Sequence, residues 1–394
     1  MWISAGDHEL SDNIIHLVLA RSELGVAGVK GLSLFVVPKY VVTGGSHEPN
    51  DVSTFGLNHK MGYRGTTNAA LGFGEGRHRP AGQPGAIGYL VGEPGRGLEY
   101  MFHMMNEARI GVGLSATCLG YSASIQSDAY ANFREQGRPT GVKGGRQVPI
   151  ARHPDVQRML RKQKSYVEGS LALILFCARL LDDAETHPAE AERAVALQLL
   201  DVLTPIAKSW PSQWCLAAND IAIQIHSGNG YTRDYDLEQR YRDNRLNSIH
   251  EGTHGIQGID LLGRRVRNAG GAGYRQLIVR MDQSCARAAA LGGLPSELAG
   301  QLSGYRRELA SSTEQLTTLD RADSLRDASL YLEAFGHVVL GWIWLEQVIA
   351  AHEQVGTFYE RKRQTCWYFF AYELPNVAAW FGIIKSSAEL SIFH

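Results

Sequence analysis

At Leu98 the spacing of apolar residues changes, and it stays changed to the end of the chain. Before it stand short β-branched runs, IIHLVLA at 14–20 and LSLFVVP at 32–38, bounded by Gly, Pro and Asp, which is the pattern of strands. After it Leu98, Met101, Phe102, Met105, Ile110 and Val112 recur mainly at three- and four-residue spacing, which predicts a helix burying one face. Between the two, residues 74–97 (GEGRHRPAGQPGAIGYLVGEPGRG) are dense in Gly and Pro and predict an irregular connection. A chain patterned in this way is α+β and mostly α, with its strands confined to one end. Its 394 residues exceed the roughly 250 that one core usually organises, so several cores are expected.

The helical pattern breaks at 137–153 and again at 186–191. A helix is predicted from about Pro154 to Glu185, with proline in its first turn and Asp155 at its positive end. Pro205 and Pro211 are expected to limit a helix between them. Residues 265–275, RVRNAGGAGYR, read as a linker into a further helical stretch, rich in Trp and Tyr, over 276–394. Apolar residues at 44% and charged residues at 20% are ordinary globular proportions and exclude a largely disordered chain. Lysine plus arginine number 39 against 40 acidic residues, so no basic surplus draws this chain to nucleic acid. Cys118, Cys177, Cys215, Cys285 and Cys366 lack the paired spacing of zinc or redox sites, so no metal is expected and free thiols in a cytoplasmic setting are. The opening MWISAGDHEL has no secretory pattern. The most apolar segment, Leu330–Ala351, carries Glu333, His337 and Glu346 and predicts a buried helix rather than a membrane span.

The segment 224–253, QIHSGNGYTRDYDLEQRYRDNRLNSIHEGT, is the most informative. Glycines around Asn229 let backbone approach a ligand closely, as a phosphate-containing cofactor requires, and also suit a helix-ending turn. The succession of Gln, three residues, Gly-Asn-Gly-Tyr, Arg-Asp and Glu-Gly-Thr resembles the signature of the acyl-CoA dehydrogenases. The resemblance extends backward through VLTPIAKSW (202–210), HPDVQRML (153–160), NEARIGVG (106–113), KMGYRGTT (60–67) and KGLSLFVVP (30–38) to MWISAG (1–6). It therefore covers residues 1 to about 265 in order. Within the family the chain is most similar to the 3-methylmercaptopropionyl-CoA dehydrogenase branch, which carries an extra C-terminal helical domain.

This resemblance implies three parts: 1–95, part of the family's middle β-domain on the flavin side; 96–265, a helical bundle with the catalytic carboxylate; and 276–394, an additional helical domain. It puts Glu251 at the position of the base that takes the substrate's α-proton while the β-hydride passes to flavin N5. A positioned base contributes about 10²–10⁴-fold. Gly252 would let backbone come near the thioester, where an amide N–H can stabilise a developing enolate oxygen. Some members carry the base just before the arginine of the first long helix, but that position is Ala108 here. Its neighbour Glu107 is rotated by about 100° on a helix. Arg109 matches an arginine near the CoA-binding region, and a structural salt bridge is the alternative role for it. For FAD, Trp2 and Ser4 match the element flanking the flavin. Arg134 matches an arginine reaching FAD phosphate across a subunit interface with Gln224 and Gly228 as partners, and Thr253 lies near the adenosine.

The implied partners are an acyl-CoA substrate, electron-transferring flavoprotein, and further copies of the chain in a homodimer or homotetramer. Two departures stand out. His250 replaces the tyrosine common before the catalytic Glu, and the chain begins inside the β-domain, without the family's N-terminal helices and Thr-Glu-x-x-Gly-Ser-Asp strand. Met1 is accordingly expected to be an internal residue of a longer protein. The competing expectations are an acyl-CoA oxidase using O2, and a non-catalytic companion chain unable to hold FAD alone.

Overall fold

Both predicted strands form and pair with each other. In the computed structural model, which describes residues 1–22 and 26–390, β2 (Ile15–Arg21) runs antiparallel to β3 (Leu32–Pro38), from Ile15 opposite Pro38 to Arg21 opposite Leu32. Alternation turns His16 and Val18 inward and leaves Ile15 and Leu17 outside. The expected irregular connection holds a strand as well: β8 (Tyr89–Val91) pairs with the other edge of β3. Three residues are too few to carry a readable alternation, which is why the Gly and Pro around them dominated the prediction.

A second sheet has the order β1, β7, β6, where β1 is Trp2–Ser4, β6 Val52–Leu57 and β7 Asn68–Phe73. Trp2 faces Ala70 across it and Ser4 faces Asn68. Strands β4 (Tyr40–Thr43) and β5 (Ser46–Pro49) form a separate hairpin. Val18, Val37, Val52, Ala69 and Leu71 make the small core of this region.

The chain divides into two compact units, Met1–Glu107 and Ala108–His394. The helical part starts with α1 (Gly97–Phe133), α2 (Pro154–Thr186) and α3 (Glu190–His226). Here one expectation fails, because α3 runs unbroken through Pro205 and Pro211. Each proline removes one backbone donor. The segment from Val202 to Ser212 is nevertheless buried at every residue, so packing against α2 and against the later helix α9 (Ala328–Ala350) outweighs the lost bonds.

Two short helices follow, α4 (Leu237–Asn244) and α5 (His254–Asp260). The predicted linker is a tight turn with Ala269, Gly270 and Gly271 in the left-handed region, and α6 (Ala272–Leu291) starts within it. Beyond it come α7 (Gly293–Thr318), α8 (Arg321–Leu325), α9 (Ala328–Ala350), α10 (Thr357–Tyr368) and α11 (Asn376–Leu390). Helix α9 is the one helix among the described residues long and apolar enough to cross a membrane, and 83% of its most apolar window is buried within the protein. One continuous core runs from Ile110 through Trp210 and Phe335 to Ile384, so the bundle and the C-terminal helices are fused rather than strung together. All five cysteines are free.

Candidate active site

Between α4 and α5 the chain makes a 3-10 turn at Arg245–Ser248 and then places Glu251 and Gly252 in succession in the left-handed region, with φ of 51° and 89°. For a residue with a Cβ this costs roughly 1–2 kcal/mol, so something must hold it. Two fully buried side chains do. Gln257, one turn into α5, donates its Nε2 hydrogen to the Glu251 carbonyl at 2.9 Å, and Lys208, from the middle of α3, donates from Nζ to the Gly252 carbonyl at 2.7 Å. A Cβ on residue 252 would meet Gln257 Nε2 at 2.7 Å, so glycine is required there both for its φ and for the close approach.

In a trans peptide the C=O and the following N–H point in opposite directions. With both carbonyls turned inward onto buried donors, the N–H groups of Gly252 and Thr253 are turned away from the core. Successive amides of this kind form a concavity suited to negative charge. Thr253 also starts α5, its hydroxyl accepting from the Ile256 N–H at 3.4 Å.

The electrostatics follow from burial. Arg109 on α1 is bonded to Asp260 at 2.9 Å, and Asp260 also meets Arg264 at 3.0 Å and Arg265 at 3.1 Å. Arg265 is paired with Asp201 on α3 as well. Of the two roles weighed for Arg109, the salt bridge is thus present in the fold. Burial, reinforced by Arg109, pushes the Lys208 ammonium down to about 8, and the Glu251 carboxylate partly offsets this. His250 is lowered by desolvation and then by Lys208. Its Nε2 meets Asn247 Oδ1 at 3.0 Å, at the end of a buried amide ladder in which Asn247 donates to Asn244 and Asn244 to Asn219. Asn219 in turn donates to the Leu119 carbonyl, so the ladder ties the residue before Glu251 back to α1.

The other predicted residues lie elsewhere. Arg134, just past the end of α1, and Gln224, near the end of α3, are both exposed. These helix ends are held together by Tyr130 stacked on His226 at 4.1 Å and by Asn229 Nδ2 donating to the Tyr130 hydroxyl at 3.0 Å. Nothing lies within 4 Å of where a Cβ at Gly228 would be, so the backbone there is open to a ligand. Gly230, not Gly228, is the glycine that packing demands, since its Cβ would collide with the Ile223 carbonyl.

Gln224 is about 16 residues beyond Lys208 on α3, or roughly 24 Å along the axis. The fold therefore keeps Arg134, Gln224 and Gly228 at one end of the bundle and Glu251, Gly252 and Thr253 well along it. Trp2 is 54% exposed on its strand, and Ser4 accepts from Asn68 Nδ2 at 3.2 Å. Glu107 is exposed on α1. A cleft of about 550 Å³ lined by Tyr121, Asp128, Arg161, Lys164 and Arg361 does not include Glu251. Exposed guanidinium, amide and open backbone at the Arg134 end suit an anionic group such as the diphosphate of FAD.

Sequence reasoning missed Lys208, Gln257 and the pair His254–Glu333, in which Nε2 meets Oε1 at 3.0 Å. For Lys208 a signal existed: it is the lone charge in VLTPIAKSW. The other two depend on tertiary placement, and Glu333 comes from α9, far along the chain.

The described residues thus form a helical bundle and a small β-region, with a carboxylate held on a strained turn. Comparison with known proteins gives the family. Residues 95–266 match the model described as "Acyl-CoA dehydrogenase, C-terminal domain" and residues 277–392 the one described as "Acetyl-CoA dehydrogenase C-terminal like". The 3-methylmercaptopropionyl-CoA dehydrogenase of Ruegeria pomeroyi is 35% identical over 87% of this chain and 57% of its own length. The broad-specificity linear acyl-CoA dehydrogenase FadE5 of Mycobacterium tuberculosis is 32% identical over 98% of this chain and 66% of its own. The chain thus spans about three-fifths of the length of these relatives.

Among solved structures, Caenorhabditis elegans ACDH-11 in complex with C11-CoA superposes with a TM-score of 0.70 at 21% identity, covering 89% of this chain and 56% of that one. An acyl-CoA dehydrogenase complexed with FAD from Bacillus anthracis gives 0.67 at 20% identity, over 96% and 61%. These two likenesses show the fold. The chain belongs to the acyl-CoA dehydrogenase family.

Proposed function

We propose that this protein carries out FAD-dependent α,β-dehydrogenation of an acyl-CoA thioester to the 2-enoyl-CoA, with Glu251 as the base. The observation that carries the reading is the strained Glu251–Gly252 pair, held by two fully buried donors. Backbone strain of this kind clusters at functional sites. In this reading the Glu251 carboxylate removes the α-proton and keeps it as a carboxylic acid. The amide of Gly252 meets the thioester oxygen as negative charge develops on it, which favours the enolate-like transition state. FAD, when bound, supplies the acceptor for the β-hydride. Arg134, Gln224 and Gly228 would hold its phosphate across a subunit interface, Trp2 and Ser4 would flank its ring system, and Thr253 would lie near its adenosine. The roughly 24 Å along α3 from Lys208, which holds the Glu251 turn, to Gln224 is in keeping with the two ends serving different copies of the site in a homodimer or homotetramer.

The same reading divides the chain into 1–95, 96–265 and 276–394. It gives Arg109 a place beside the CoA-binding region, makes electron-transferring flavoprotein the oxidant of the reduced cofactor and assigns the protein to the cytoplasm. The relatives named for linear acyl-CoA and for 3-methylmercaptopropionyl-CoA favour a short or linear acyl group. Mixing the flavin-loaded protein anaerobically with a series of such thioesters tests this. Loss of the oxidised flavin absorbance together with 2-enoyl-CoA by mass spectrometry is expected. Stoichiometric peroxide on admitting air would instead identify an oxidase, and a purified chain that takes up no flavin would identify a companion subunit.

A further inference from the structure

The reading of Glu251 as a base leaves unexplained why a lysine lies fully buried in the middle of α3. Lysine almost never accepts such a position without a partner. The partner of Lys208 is a backbone carbonyl, that of Gly252, at 2.7 Å. Its ammonium has three charged or titratable neighbours: Arg109 from α1, and His250 and Glu251 from the turn before α5. A neutral donor would satisfy the carbonyl, as Gln257 does for the carbonyl of Glu251. What lysine adds is reach: a donor on a four-carbon stem spans from the interior of α3 to the turn.

We propose that Lys208 is a positioning residue for the dehydrogenation: by holding the Gly252 carbonyl inward it turns the N–H at the other end of that peptide, Thr253's, toward the substrate. The proposal rests on Glu251 being the base. Lys208 itself touches neither substrate nor cofactor. Gln257 does the same for the preceding peptide through the Glu251 carbonyl, so the two donors act on different amides, those of Thr253 and Gly252.

The test uses flavin-loaded protein with Lys208→Met, Lys208→Arg, Gln257→Leu and Glu251→Gln, measuring the pH profile of kcat/KM and the hydrogen exchange of the amides of residues 249–256. Lys208→Met is expected to lower kcat at least tenfold with a smaller effect on KM and to speed exchange at Thr253, the amide of the peptide it holds. Gln257→Leu should speed exchange at Gly252 instead, and Lys208→Arg, which keeps a charged donor, should restore slow exchange at Thr253. If Lys208→Met does not fold, wild type and Lys208→Arg decide: wild type should lose activity above about pH 8 as Lys208 deprotonates, and the arginine variant should not.

A Lys208→Met protein with wild-type kcat and wild-type exchange at Thr253 refutes the role of Lys208, as does an alkaline limb unchanged in Lys208→Arg. Turnover persisting in Glu251→Gln refutes the base assignment instead, so the two failures are distinct.

Discussion

Asp260→Asn is the substitution whose cost follows most directly from the site's geometry. The carboxylate is 11% exposed and lies 2.9 Å from Arg109 and 3.1 Å from Arg265, whose side chains are 4% and 5% exposed. Asparagine keeps the shape and removes the charge. Arg265 retains Asp201, while Arg109 loses its ion pair with the carboxylate. Breaking a buried pair by neutralising one partner costs about 3–5 kcal/mol, because the desolvated charge stays behind. At roughly 2–4 °C per kcal/mol for a unit of this size, melting should fall by about 6–12 °C even at the lower bound. Thermal unfolding followed by circular dichroism at pH 7 reads this. Arg158→Gln is the control, since the Arg158–Asp155 pair is 46% and 71% exposed and should cost less than about 1 kcal/mol. Asp260→Asn melting within 2 °C of wild type, or no worse than the control, would refute the view that this network is buried and mutually dependent.

Three further outcomes follow from the same geometry. Arg134→Ala should weaken FAD retention by roughly 10- to 100-fold, the worth of a charged hydrogen bond of about 1.5–3 kcal/mol, while enzyme that stays loaded turns over normally; equilibrium dialysis measures it. Gly258→Ala should cost about 1–3 kcal/mol in chemical denaturation, because the new Cβ would meet the Ala328 carbonyl oxygen at 2.5 Å and force α5 from α9. Lys208 is held at about 8 against an ordinary 10.5, so the unfolded chain binds more protons in that window. Stability should therefore rise between pH 8 and 10.5 more steeply in wild type than in Lys208→Met.

What was readable from the chain alone depended on length scale. β2, β3 and the long helices each span enough residues for periodicity to register, whereas β8 has three and was lost among glycines. Pro205 and Pro211 misled because a local rule about missing donors cannot see that the segment around them is buried on every side. The turn at Glu251 and Gly252 drew notice through its motif, but its left-handed conformation and the two donors that hold it come from residues 208 and 257, brought there by packing. Charge inside an apolar run is a local signal, and on that ground Lys208 was discoverable. Glu333, which meets His254 and accepts from Trp214 Nε1 at 2.8 Å, was not, since nothing in the sequence pairs α9 with α5.

The central claim is that the Glu251 carboxylate takes the α-proton. Glu251→Gln keeps the size of the side chain and removes its basicity, so steady-state dehydrogenation of an acyl-CoA by the flavin-loaded variant is the most direct measurement. The account predicts a loss of at least about 100-fold in kcat with flavin content and melting temperature unchanged. Turnover near the wild-type rate at full flavin loading would contradict it and return attention to Glu107.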